Sequence, residues 1–118
     1  MDSPVPKILV VSHDPVLADI RKAVLKRAGF KVISATSNSE ISDICKKKKP
    51  HLVLIGYSLT PAAKRRAWDE ARKKCKVPIL ELHRGKAPEL MPPAFFHESE
   101  TPDDFLTTVQ RILKELAN

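Results

Sequence analysis

The stretch Pro50-His-Leu-Val-Leu-Ile-Gly-Tyr-Ser58 constrains the fold more than any other. Leu52, Val53, Leu54 and Ile55 form an unbroken apolar run between a proline and a glycine. A strand with one wet face alternates apolar and polar residues. A short run without alternation suits a strand covered on both faces, as in a parallel sheet. In open α/β sheets, ligands and chemistry gather outside the carboxyl ends of the strands. Here that position is Gly56, which has no side chain.

The rest of the chain alternates strand and helix around this run. Lys7 to Val11 is a first apolar strand, broken by Ser12-His13-Asp14-Pro15. Asp14 suits an N-cap with Pro15 at the first helical position, and Leu17, Ile20, Val24, Leu25 and Ala28 recur at helical spacing up to Gly29. Phe30 to Ala35 predicts a second strand. Thr36 to Ser39 then offer caps for a helix from about Glu40 to Lys48 that buries Ile41, Ile44 and Cys45. Pro61 opens a third helix through Lys74, carrying Ala62, Ala63, Ala67, Trp68 and Ala71 among many cations. Val77 to Leu82 predicts a fourth strand. Pro88, Pro92 and Pro93 leave at most one helical turn between Arg84 and Pro93. Ala94 to His97 predicts a short fifth strand. Thr101-Pro-Asp-Asp104 caps a last helix with an apolar stripe of Phe105, Val109, Ile112, Leu113 and Leu116. Five strand–helix alternations predict a three-layer α/β domain over residues 1–118: a parallel sheet in the flavodoxin-like order 2-1-3-4-5, helices on both faces, and the fourth helix shortened or absent.

With 118 residues and 42% hydrophobic content, one domain can bury a core without metal or disulfide support. Apolar stretches are too short for a membrane span, and Met-Asp-Ser-Pro-Val-Pro lacks signal-peptide features, so the expected location is the cytoplasm. Cys45 and Cys75 stand alone without CxxC or Cys/His spacing, which favours two reduced thiols over a bridge or a metal site. The net charge of +7 is concentrated: residues 46–86 hold thirteen Lys/Arg against three Asp/Glu, whereas residues 87–118 hold two against six. Lys46, Lys47, Lys48 and Lys49 end the second helix and Arg72, Lys73, Lys74 and Lys76 the third, where cations also favour the helix dipole. The two runs are expected to form one basic rim.

Several fragments carry a resemblance in their order and spacing. Lys7-Ile-Leu-Val-Val-Ser-His-Asp-Pro-Val-Leu17, Ala28-Gly29-Phe30, Pro50-His-Leu-Val-Leu-Ile55, Val77-Pro-Ile79 and Thr101-Pro-Asp-Asp104 resemble the receiver (CheY-like) domains of two-component response regulators. The resemblance implies an aspartate phosphoacceptor ending the third strand, an acidic pair holding Mg²⁺ after the first, a hydroxyl ending the fourth and a lysine ending the fifth. Carried over, these positions are Gly56, Ser12 with His13, His83 and Glu98. None matches. A carboxylate nucleophile, a metal to offset phosphoryl charge and cationic or hydroxyl donors are all missing. Phe95 stands where such domains carry a switch aromatic, and as a core residue it needs no such role. Ser58 and Tyr57 remain as hydroxyls on the following loop.

The expectation is therefore a pseudo-receiver without enzymatic activity or cofactor, working through a protein partner such as a kinase, a regulator or an adjoining output domain. Two other readings stand beside it. The Lys46–Lys76 region would suit a polyanion such as nucleic acid. His13, His83 and Glu98, facing one another across the crevice beside Gly56, would suit a metal or pH sensor. His97 should point away from that crevice, because alternation sends it to the opposite side from Glu98.

Overall fold

Burial on both sides of one strand organises the structure, a computed structural model that describes residues 5–91, 94–101 and 103–116. Expectations resting on Met1 to Pro4, Pro92, Pro93, Pro102 and the Leu116 side chain fall outside the described residues. The elements are β1 (Lys7–Val11), α1 (Pro15–Arg27), β2 (Lys31–Ala35), α2 (Asn38–Lys47), β3 (Leu52–Ile55), α3 (Pro61–Lys74), β4 (Ile79–His83), β5 (Phe95–Glu98) and α4 (Leu106–Leu116). All five strands pair in parallel in the order β2-β1-β3-β4-β5.

The four residues of β3 are fully buried because successive side chains enter different cores. Val53 and Ile55 pack with Leu9, Val11 and Ile79 under α2 and α3. Leu52 and Leu54 pack with Ile8, Val10, Leu80 and Leu82 under α1 and α4, around Phe105, Val109 and Ile112. On α3, buried Ala63, Ala67 and Ala71, spaced four residues apart, form a stripe of small side chains, while Ala62 is exposed. On α1, Leu25 is buried and Ala28 exposed.

The caps follow from the sequence. Asp14 Oδ1 accepts from the Val16 and Leu17 amides at 2.9 and 3.2 Å, and Thr60 Oγ1 from Ala63 at 3.2 Å, each ahead of a proline at N1. Ser37 caps α2 through the Glu40 amide, and Glu40 reaches back to the Thr36 amide and hydroxyl. This reciprocal pair starts α2 at Asn38, two residues before the expected Glu40. The Thr101 to Asp104 segment behaves differently from its expected capping role. Asp104 Oδ2 accepts from the preceding Glu100 and Thr101 amides at 2.6 and 3.2 Å, so it closes the upstream turn, and α4 begins only at Leu106.

No helix joins β4 to β5 among the described residues. The connection is fastened instead by Glu81, fully buried in the middle of β4. Its carboxylate accepts from the Glu89 amide at 2.9 Å and the Leu90 amide at 2.8 Å, and pairs with buried Lys64 of α3 at 2.7 Å. Lys64 also donates to the Leu82 carbonyl at 3.0 Å. The buried charges are thus paired and hydrogen-bonded, as burial requires.

The cysteines correct the sequence reading. Cys45 and Cys75 form a disulfide with Cα atoms 4.8 Å apart. Their separation of 30 residues hides the contact, which exists because α2 and α3 lie side by side and end at the same edge of the sheet.

Candidate functional site

The loops after β1, β3, β4 and β5 meet at the carboxyl edge of the sheet, with β3 between β1 and β4. Gly56 is buried there, its amide donating to the Val11 carbonyl at 3.0 Å. The space beside it is not the crevice the sequence suggests. A Cβ placed on Gly56 would collide with the guanidinium of Arg21, whose Cζ and Nη2 would stand 3.1 and 3.4 Å away. Arg21, the largest fully buried side chain, comes up from α1 into the place an acceptor side chain would need. Its Nη1 donates to Ser12 Oγ at 3.5 Å and its Cζ stands 5.0 Å from the centre of the Tyr57 ring. Nε and Nη2 are buried without a partner among the described residues. Burial lowers the guanidinium pKa from its ordinary value, and Tyr57 and Asp14 oppose that shift.

The other positions disperse around this cation. Ser12 is buried, its hydroxyl accepting from the Asp14 amide and donating to the Asp14 carbonyl. His13 is exposed and lines a cavity of about 270 Å³ toward α2 and α3, with Thr36, Ser37, Asn38 and Arg66. His83 donates from Nδ1 to the Lys86 carbonyl at 2.8 Å and lines a different cavity, of about 140 Å³, with Tyr57, Lys64 and Arg84. Glu98 is exposed and pairs with His83 in strand register only. The structure thus does not assemble His13, His83 and Glu98. No group of three or more His, Cys, Asp or Glu is placed to hold a metal among the described residues. Nor do the residues at the family's Mg²⁺ position fit that ion: a serine, an exposed imidazole and a buried guanidinium offer repulsion in place of carboxylate ligands.

Ser58 Oγ, on the loop after β3, is buried and has no partner among the described residues. Phe95 is half-buried and packs against the α1/α4 core. His97 does face away from Glu98. Its Nε2 meets Asp104 Oδ1 at 3.1 Å and its Nδ1 meets the Thr108 hydroxyl at 2.9 Å. This hydroxyl–imidazole–carboxylate chain staples β5 to α4. Thr108 is buried and lines none of the cavities described, so the geometry of a nucleophile is present without access for a substrate.

Arg21 and Glu81 are the residues that sequence reasoning passed over. A signal for Arg21 was available: it lies four residues from both Leu17 and Leu25, inside the apolar stripe of α1. All eight of Lys46 to Lys49, Arg72 to Lys74 and Lys76 are exposed, and the disulfide joins the two runs.

No family model matches the chain, and no curated protein does. Solved structures do. The chemotaxis protein CheY4 of Vibrio cholerae is similar with a TM-score of 0.74 at 19% identity, over 92% of this chain and 99% of that one. The signal receiver domain of an HD domain-containing protein from Pseudomonas fluorescens Pf-5 gives 0.79 at 12% identity, over 95% and 97%. A de novo designed protein of the Rossmann 2x3 fold gives 0.71 at 13%, over 94% and 91%. Because a designed protein shares the arrangement, likeness at these identities speaks for architecture and not for activity. Strand order, helices on both faces and coverage of nearly the whole chain agree: this protein has the fold of response-regulator receiver domains.

Proposed function

We infer that the chain is a receiver-like signal-transduction module that has lost phosphotransfer, a non-enzymatic interaction domain. The observation that carries this reading is the Arg21 guanidinium packed where an acceptor side chain would stand. An aspartyl phosphate needs a carboxylate on β3 and a metal beside it. Here the strand is followed by glycine, and a buried cation occupies the neighbouring space. Likeness to receiver domains supports a place in signalling. With the chemistry gone, what such a module offers is surface for a kinase, a regulator or an adjoining output domain. No helix among the described residues is long and apolar enough to cross a membrane.

The test is incubation of the protein with Mg²⁺ and an acyl phosphate, followed by intact mass measurement. The expected mass is unchanged. One phosphoryl group per chain would overturn the reading.

A further inference from the structure

We propose that the rim formed by Lys46–Lys49 and Arg72–Lys76, joined by the Cys45–Cys75 disulfide, is a sequence-independent docking surface for the backbone of double-stranded nucleic acid. Four observations, independent of the reading above, lead there.

The first is convergence. Two cationic runs far apart in sequence flank the two cysteines directly, so the bridge that brings their Cα atoms within 4.8 Å also merges the runs into one patch. Lys7 extends it, donating from its ammonium to the Lys48 carbonyl at 3.0 Å. The second is the lack of internal neutralisation. The ion pairs among the described residues are Lys64–Glu81, Arg65–Glu89 and His97–Asp104, and none draws on the rim. Glu70 is the acid nearest in sequence to the second run, and its neighbour Asp69 lines a shallow recess with Arg72 and Lys73.

The third is backbone conformation. A helix commonly ends on a left-handed residue, and glycine adopts that state without steric cost. On α1 the residue after the cap is Gly29, with φ +100°. On α2 and α3 the same position is a lysine: Lys49 with φ +49° and Lys76 with φ +54°. A side chain there is sterically disfavoured. The two helices that end in the rim thus carry charge where the helix elsewhere carries glycine.

The fourth decides the partner. Lysine is depleted from protein–protein interfaces, whose cores use aromatic and apolar anchors, and the rim's runs contain no apolar residue beyond the bridged cysteines. Phosphate chains ask only for mobile point charges. Single strands want open aromatic faces on which bases stack. Here Trp68, beside the second run, is covered by Arg72, whose Cζ lies 4.6 Å from the ring. A duplex backbone fits what remains.

The experiment uses the full oxidised chain and a labelled duplex of mixed sequence, read by anisotropy between about 50 and 200 mM salt. Affinity is expected to fall by at least about a hundredfold across that range. Lys47→Ala/Lys74→Ala is expected to lower the salt slope by about two. Lys26→Ala/Arg27→Ala removes the same charge from the end of α1 and is expected to leave the slope unchanged. Absence of binding at low salt, binding insensitive to salt, or equal losses in both variants would overturn the proposal. So would tighter binding of polyglutamate than of the duplex, which would assign the rim to an acidic protein.

Discussion

Arg21 is buried with two nitrogens lacking partners among the described residues, an arrangement that usually costs stability. Its aliphatic stem fills the space between α1 and the sheet, while its head replaces the charge that a phosphorylation site would organise around a metal. Removing the charge but keeping the stem should therefore be tolerated. Arg21→Met is expected to leave stability unchanged or raise it by about 1 kcal/mol, measured by denaturant unfolding. A loss above about 2 kcal/mol would show that the guanidinium is better satisfied than its geometry indicates. At this scale the sequence was half legible. Gly56 could be located by its place after an apolar strand, but the side chain that fills its space comes from a helix 35 positions upstream. Such a contact leaves only an indirect trace, a charge inside an apolar stripe.

Elements were more readable than their joints. The apolar runs gave β1 and β3 to the residue, and Asp14-Pro15 and Pro61 gave the starts of α1 and α3, because proline at the first helical position fixes a helix start chemically. The prolines between β4 and β5 gave the loss of a helix, yet not the Glu81 carboxylate that holds the replacement loop. A buried acid in a strand core reads as an anomaly until its amide partners eight and nine residues on are known. The start of α4 was misplaced for a similar reason, since Asp104 serves the turn before it. Burial raises the Asp104 pKa, but the Glu100 and Thr101 amides and His97 more than offset this, and the net shift is downward. A lowered carboxyl pKa contributes stability that is complete above the unfolded value and is lost as pH falls through the folded one. Asp104→Asn is accordingly expected to cost about 1–2 kcal/mol at neutral pH. The cost should shrink toward zero under strong acid in parallel melting curves. A deficit independent of pH would place the effect in packing.

Across the whole molecule, charge and covalent structure divide the sheet. The basic rim lies where α2 and α3 end, while the acidic C-terminal quarter supplies β5 and α4. The charge division was plain in the sequence; the disulfide was not, because the two thiols are brought together only by the packing of α2 beside α3. That bridge makes residues 45–75 a covalent ring with the central strand inside it. Closing a loop of this length restricts the unfolded chain by about 3.5 kcal/mol. The ring also sets an order of opening. α2, β3 and α3 cannot drift apart while it is closed, whereas β5 is an edge strand held by one neighbour and its staple to α4. Amide exchange should therefore be slowest in β3 and fastest in β5, and reduction should speed exchange in α2 and α3 first. If β5 were the slower of the two, the ring would not govern the opening. Seen this way, the protein has a fixed half and a half free to breathe, and the boundary between them runs along β4.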